Sequence, residues 1–437
     1  MDELELLSQP VALFEGIDPD EYVIATYLVS FPAMVSVPKL APALAIEQST
    51  GTWVPVPGET PEVRVKHIAK VLGVYEVPDS EFPEPSMLEG NRDYVVQVAF
   101  PEVNFGSQIP MLLTTVVGNI SMGGRVKVID LSLPKRYVAG FKGPRFGISG
   151  LREILGVPDR PLLNNMIKPC TGYTPEVGAG LFYKAALGGC DIVKDDELLA
   201  DASFNPIIER VDRYMKLEKE VYNETGEHTL YTVNVTDSVP KVFENARRAV
   251  DAGANAIMVN YLAVGLPVLQ ALAEDDEINV PILAHMDVAG AMYMSPWHGI
   301  SSHLVLGKLP RLAGADVVVF PAPYGKAPVL PEKFLSVARN MTLPLYELRR
   351  TFPMASGGIT PSMVPKVVED LGYDVVIGSG GGIHAHPDGP VAGARAFRQA
   401  IDAVMQGISL DVAAKEHPEL AKALERWVDP FGKGIGI

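Results

Sequence analysis

The chain reads as an α/β protein: a (β/α)8 TIM barrel preceded by a smaller α+β domain. Three observations predict this. At 437 residues it exceeds the usual size of one hydrophobic core, so two domains are expected. From about residue 146 onward, short β-branched runs alternate with helical patterns, eight strand–loop–helix units in all. No Gly-x-Gly-x-x-Gly follows the first of these strands, which counts against an open doubly wound sheet. The expected division is 1–145 for the N-terminal domain and 146–437 for the barrel with a C-terminal helical extension.

The N-terminal part mixes strand-like runs, such as 22–28 (YVIATYL) and 94–100 (YVVQVAF), with two predicted helices. Glycine and proline in 141–147 (FKGPRFG) mark the junction. The barrel strands are predicted at 162–167, 191–194, 229–235, 256–260, 282–285, 317–320, 354–356 and 375–377. Between them, stretches such as 239–246 and 363–370 carry apolar residues three or four apart, the spacing of one helix face.

Composition narrows the function. With 47% hydrophobic and 21% charged residues the chain is ordinary for a globular protein. Its 53 acidic against 37 basic side chains, a net charge of -16, argue against nucleic acid or an anionic membrane as main partner. Two cysteines are too few for a disulfide framework, and no signal peptide or membrane-length apolar run is visible, so a cytoplasmic location is expected.

The run Lys194-Asp195-Asp196-Glu197 follows the apolar pair Ile192-Val193 and places hard oxygen ligands at a strand end, which suits Mg²⁺. By itself it reads rather as a solvated charge cluster closing a strand. Gly357-Gly358 and Gly380-Gly381-Gly382, after the seventh and eighth strands, remove Cβ atoms and let backbone N–H groups approach an anion, although glycines also serve plain turns there.

The Lys194 run resembles the metal-site signature of the ribulose-bisphosphate carboxylase (RuBisCO) large-chain family. Further landmarks follow in order along nearly the whole chain: 47–53 (EQSTGTW), Gly118-Asn119, Gly143-Pro144, Lys168-Pro169, His285, Gly325-Lys326, Ser356-Gly357-Gly358 and Gly380-Gly381-Gly382. The resemblance implies an N-terminal ferredoxin-like domain and a Mg²⁺ site formed by Asp196, Glu197 and Lys194, the lysine carrying a CO₂-derived carbamate. It also implies a phosphate site at Gly357, Gly358, Gly380, Gly381 and Gly382 assisted by Thr52, Trp53 and Lys326. Glu47 and Asn119 join as substrate contacts, and a homodimer or multiple of dimers is implied, without a nucleic-acid or membrane partner.

The departures are as informative. Carboxylases have Lys-Pro-Lys where this chain has Lys168-Pro169-Cys170. They also place a histidine and an arginine where Asp287 and Val288 stand, and a His-Ser-Gly run where Val319-Phe320-Pro321 stands, so that only Ser356 remains of the second phosphate site. A sugar monophosphate is therefore expected, and a RuBisCO-like (form IV) enzyme that forms an enediolate without net CO₂ fixation. Lys168, Lys194, His285, Asp287 and Lys326 form the expected catalytic set. Decarboxylation or isomerisation of an oxo sugar acid such as oxo-isoapionate phosphate ranks first. The methionine-salvage enolase stands second, supported by 320–325 (FPAPYG) but opposed by Asn119, where those enolases place lysine. A genuine carboxylase and a non-catalytic binding protein complete the alternatives. Cys170 is expected to pack, and His384 and His386 to lie at the surface or behind the site.

Overall fold

The structure, a computed structural model, describes residues 3–51, 54, 56–82, 89–326 and 329–427. Its strands are β1 (Tyr22–Pro32), β2 (Lys70–Val77), β3 (Asn91–Pro101), β4 (Arg125–Ser132), β5 (Leu162–Met166), β6 (Ile192–Lys194), β7 (Leu230–Asn234), β8 (Ala256–Asn260), β9 (Ile282–His285), β10 (Gly299–Ile300), β11 (Val317–Pro321), β12 (Phe352–Ser356) and β13 (Val376–Ser379). Among the described residues, no helix is long and apolar enough to cross a membrane.

One compact unit comprises Met1–Phe141 and Val288–Val305. Its sheet runs β10-β4-β1-β3-β2, antiparallel except for the β10–β4 pair. Period-two burial of Val23, Ala25, Tyr27 and Val29 gives β1 a covered face. Helix Val37–Glu47 buries Val37, Ala41 and Ala45, spaced four apart, and these line one apolar cavity with Tyr27, Val29, Val96 and Val98.

The other unit, Lys142–Asp287 with Leu306–Ile437, holds a closed parallel barrel in the order β5-β6-β7-β8-β9-β11-β12-β13. All eight expected barrel strands are present, within one or two residues of their expected ends. The inward face starts as hydrocarbon: Leu162, Ile192, Leu230, Ala256, Met258, Leu283, Val317, Phe352, Met354 and Val376 form one buried cluster. Helix Gly147–Leu155 adds Ile148, Leu151 and Leu155 to that cluster, on a single face at i, i+3, i+7. Cutting any one of these large side chains to alanine would cost about 2–5 kcal/mol.

Because side chains alternate along a strand, the positions two residues further on share the inward face. There the chemistry changes: Leu162 gives way to Asn164, Ile192 to Lys194, Met258 to Asn260, Leu283 to His285 and Met354 to Ser356, all buried. The barrel is thus a sealed apolar plug at the strand N-termini and a polar basin at their C-termini, where barrel chemistry belongs.

Candidate active site

Lys194 ends β6 with its side chain fully buried. Its Nζ donates to the Asp195 carbonyl at 2.7 Å and to Glu197 Oε2 at 3.2 Å. Asp196, also fully buried, receives Lys168 Nζ at 2.5 Å. Two basic and two acidic groups from the ends of β5 and β6 therefore pair within one basin. Burial favours the neutral form of Glu197, but Lys194 and His285 outweigh it and bring the carboxyl down to about 2.

The middle carboxylate of the run does a different job. Asp195 points away from its neighbours, accepts the Tyr231 hydroxyl at 2.7 Å and the Asn234 amide at 3.0 Å, and pairs with Arg210 at 3.1 Å, both side chains fully buried. Strand alternation dictates this split, since Lys194 and Asp196 flank it on the opposite side. Anchoring Asp195 fixes the orientation of both. The Glu197 carbonyl is held from below by Asn234 Nδ2 at 3.2 Å and Asn260 Nδ2 at 3.1 Å. Sequence reading missed Arg210, Asn234 and Asn260. The available signal was a polar residue on the inward face at a strand end for the two asparagines. Arg210, within a helix, offered none.

From β9, His285 Nδ1 lies 2.8 Å from Asp287 Oδ2, and its Nε2 lies 3.4 Å from Glu197 Oε2. The next residue, Val288, sits at φ 72°, a left-handed conformation that β-branched side chains rarely adopt. Lys168 also donates to Cys170 Sγ at 3.1 Å, so Cys170 contacts the basin lysine as well as packing. Burial opposes the Lys168 charge, yet its contacts with Asp196 and Cys170 leave its pKa raised.

The glycine loops lie on the same end of the barrel. Lys326 N donates to the Gly357 carbonyl at 2.8 Å, and a Cβ on Gly325 would fall 1.7 Å from that oxygen. Gly357 and Gly358 have φ of 99° and 94°, so this close approach needs glycine on both sides. The Lys326 side chain is exposed and Ser356 is buried. Gly380 rests on Lys168, where a Cβ would meet Cε at 2.9 Å. His384 Nε2 lies 3.1 Å from Asn165 Oδ1, while the buried His386 contacts the Glu419 carbonyl at 2.9 Å and is no surface histidine. In the other unit, Glu47 ends its helix and Asn119 opens a short turn, both exposed. Gln48 Nε2 ties the two segments through the Thr115 carbonyl at 2.8 Å. Thr52 and Trp53 lie outside the described residues.

Among the described residues, no three His, Cys, Asp or Glu side chains stand in a metal-binding arrangement. The donor chemistry nevertheless fits a hard divalent cation. Asp196 and Glu197 bring carboxylate oxygens, each facing an ammonium nitrogen rather than a hydrophobic wall. Replacing the Lys194 ammonium with a carbamate would change that residue from +1 to -1 and leave the four-group cluster with a net charge of about -2.

A closed barrel of eight parallel strands with a polar basin at the strand C-termini, together with an N-terminal sheet unit, places the chain in the class of (β/α)8-barrel proteins that carry an added N-terminal domain. Within it the chain belongs to the RuBisCO large-chain family. The ribulose bisphosphate carboxylase large-chain catalytic-domain model matches residues 147–327 and 336–427, and the N-terminal-domain model matches residues 16–137. The chain is 60% identical over 421 residues to a ribulose bisphosphate carboxylase-like protein of Archaeoglobus fulgidus, covering 96% of each. It is 42% identical to the 2,3-diketo-5-methylthiopentyl-1-phosphate enolase of Geobacillus kaustophilus, over 93% of this chain and 98% of that one. A rubisco-like protein of Alicyclobacillus acidocaldarius superposes with TM-score 0.85 at 37% identity, covering 93% of this chain and 100% of that one. The dimeric archaeal Rubisco of Hyperthermus butylicus does so with TM-score 0.85 at 34% identity, covering 96% and 99%.

Proposed function

We infer that this RuBisCO-like protein is a Mg²⁺-dependent enzyme that forms an enediolate from a phosphorylated dicarbonyl or ketose by removing a proton next to a carbonyl, without fixing CO₂. One observation carries the reading: the ends of β5, β6 and β9 bring Lys168–Asp196, Lys194–Glu197 and His285–Asp287 together, the last two pairs linked by His285 and Glu197. Bound Mg²⁺ would polarise the substrate carbonyl and lower the cost of charge on its oxygen.

The residues divide the remaining work. Carbamylation of Lys194 takes a neutral amine and CO₂ to a carbamate, releasing two protons from the ammonium form overall. Asp196, Glu197 and that carbamate would hold the cation. Asp287, partly open and oriented by His285, accepts the carbon-bound proton, and Lys168, freed from Asp196, is positioned to return one. Gly357, Gly358, Gly380, Gly381 and Gly382 offer backbone N–H groups to a single phosphate, with Lys326 adding charge, while Ser356 is what remains of the second phosphate position. Thr52, Trp53, Glu47 and Asn119 complete the substrate contacts, and a dimer or multiple of dimers is the assembly, as in the dimeric Hyperthermus relative.

The enolase-named relatives, 39–42% identical over 93% of the chain, favour proton removal over the decarboxylation that the residues alone ranked first. Loss of CO₂ from an oxo sugar acid stays as the second reading, because it places charge on the same carbonyl oxygen. Cys170, Asp287, Val288 and Val319 oppose a carboxylase, and the intact Lys194, Asp196 and Glu197 oppose a non-catalytic role. The test is activation: turnover of 2,3-diketo-5-methylthiopentyl 1-phosphate should need both bicarbonate and Mg²⁺. Lys194→Ala, Asp196→Asn and Glu197→Gln should each lower it at least a hundredfold. Full turnover after chelation would exclude the reading.

A further inference from the structure

His384 closes the four-residue helix Gly381–His384, directly after the last barrel strand. Its Nε2 meets Oδ1 of Asn165, a fully buried residue of β5, at 3.1 Å. The Asn165 Nδ2 in turn reaches the Ser379 carbonyl at 3.4 Å. Ser379 and Asn165 are register partners across the seam where β13, the last strand, meets β5, the first. Chemistry fixes the direction of this chain of contacts. A carbonyl only accepts, so Asn165 must present its NH₂ group to Ser379 and its oxygen to His384, which places the imidazole proton on Nε2.

Between the two anchored residues lie Gly380, Gly381 and Gly382, which have no side chains to hold themselves in place. Their surroundings are tight on one side. A Cβ on Gly382 would fall 2.5 Å from Ser379 Oγ and 2.6 Å from the Ile359 carbonyl, and one on Gly380 would fall 2.9 Å from Lys168 Cε. Ser379 Oγ donates to the Ile359 carbonyl at 2.8 Å and secures the front of the loop. At the back of the loop Ile383 is fully buried, and the His384 side chain reaches β5 through Asn165.

We propose that His384 and Asn165 are positioning residues for anion binding: their hydrogen bond ties the glycine loop to β5, fixes where the Gly381 and Gly382 amide groups point, and keeps the Lys168 stem seated on Gly380. The proposal rests on the reading of Gly380–Gly382 as a phosphate loop. A preformed loop binds without first losing conformational freedom, so cutting the tether should weaken affinity rather than abolish folding.

Calorimetric titration of the full chain with inorganic phosphate and with ribulose 1-phosphate tests it, using wild type, His384→Leu, His384→Gln and Asn165→Ala. Wild type should bind both, while His384→Leu and Asn165→Ala should bind about tenfold more weakly, the loss of roughly one well-made hydrogen bond. His384→Gln keeps an N–H donor near Asn165 and should recover affinity to within about threefold of wild type. In turnover the same variants should raise KM more than they lower kcat. If His384→Leu does not fold, Asn165→Ala carries the comparison. Phosphate affinity within twofold of wild type in a folded His384→Leu or Asn165→Ala protein overturns the brace, even if the melting temperature falls. A wild type that binds neither probe overturns the phosphate-loop reading itself.

Discussion

Replacing Arg210 with methionine should destabilise the barrel unit more than any other single loss of charge. Arg210 and Asp195 are both fully buried and 3.1 Å apart. Arg210 also donates to the Tyr231 hydroxyl at 3.2 Å and the Ala200 carbonyl at 3.1 Å. Arg210→Met keeps much of the volume but leaves the Asp195 carboxylate with only the neutral donors Tyr231 and Asn234. Breaking one partner of a buried pair costs about 3–5 kcal/mol. At roughly 2–4 °C per kcal/mol for a unit of this size, the melting temperature should drop by about 10 °C. Differential scanning calorimetry measures it. The double variant Asp195→Asn/Arg210→Met removes both charges and should be destabilised by at least about 1 kcal/mol less than the sum of the singles. A single-variant cost below about 1 kcal/mol, or strict additivity, would refute the view that Asp195 is an anchor.

Two further outcomes follow from the geometry. Burial, then the nearby Lys168 charge, lowers the His384 pKa to about 4. With the folded value below the unfolded value of about 6.5, the stability His384 contributes is complete above that pH and is lost as pH falls toward 4; an NMR titration of its ring protons should show a midpoint near 4, and a midpoint near 6.5 would contradict the burial argument. Gly325→Ala places a methyl 1.7 Å from the Gly357 carbonyl, so the loops after β11 and β12 must part; phosphate affinity measured by calorimetry should fall at least tenfold, and unchanged binding would show that these loops are not the anion site.

The barrel was legible because short apolar runs recur between helical patterns, several of them ending in a residue of different chemistry, as in Ile192-Val193-Lys194 or Ile282-Leu283-Ala284-His285. The Lys194 run was legible for the same reason: an abrupt polar end to an apolar strand marks the open face of a barrel. What the sequence did not reveal depends on contacts remote along the chain. Asp195 and Asp196 are chemically alike, and only strand alternation together with a distant Arg210 separates anchor from basin residue. Asn234 and Asn260 act through the Glu197 backbone, which carries no sequence signature. The two-residue strand β10 is too short to read and is defined by its pairing with β4, about 170 positions away. His384 with His386 forms a His-x-His spacing that does not suit a hard cation, which points to the surface or behind the site; the Asn165 contact is invisible in sequence because it spans 219 positions and depends on β13 closing against β5.

The most direct test of the central claim is solvent-hydrogen exchange during turnover. With Mg²⁺ and bicarbonate present, the enzyme incubated in D₂O with 2,3-diketo-5-methylthiopentyl 1-phosphate should put deuterium on the carbon next to the carbonyl, and Asp287→Asn should slow that labelling at least tenfold while leaving phosphate affinity within about twofold, since proton transfer is made only in the transition state. ¹⁴CO₂ should not enter the organic product. Incorporation of ¹⁴CO₂ into ribulose bisphosphate products, or turnover with no deuterium at that carbon, would contradict an enolising enzyme that has given up carbon fixation.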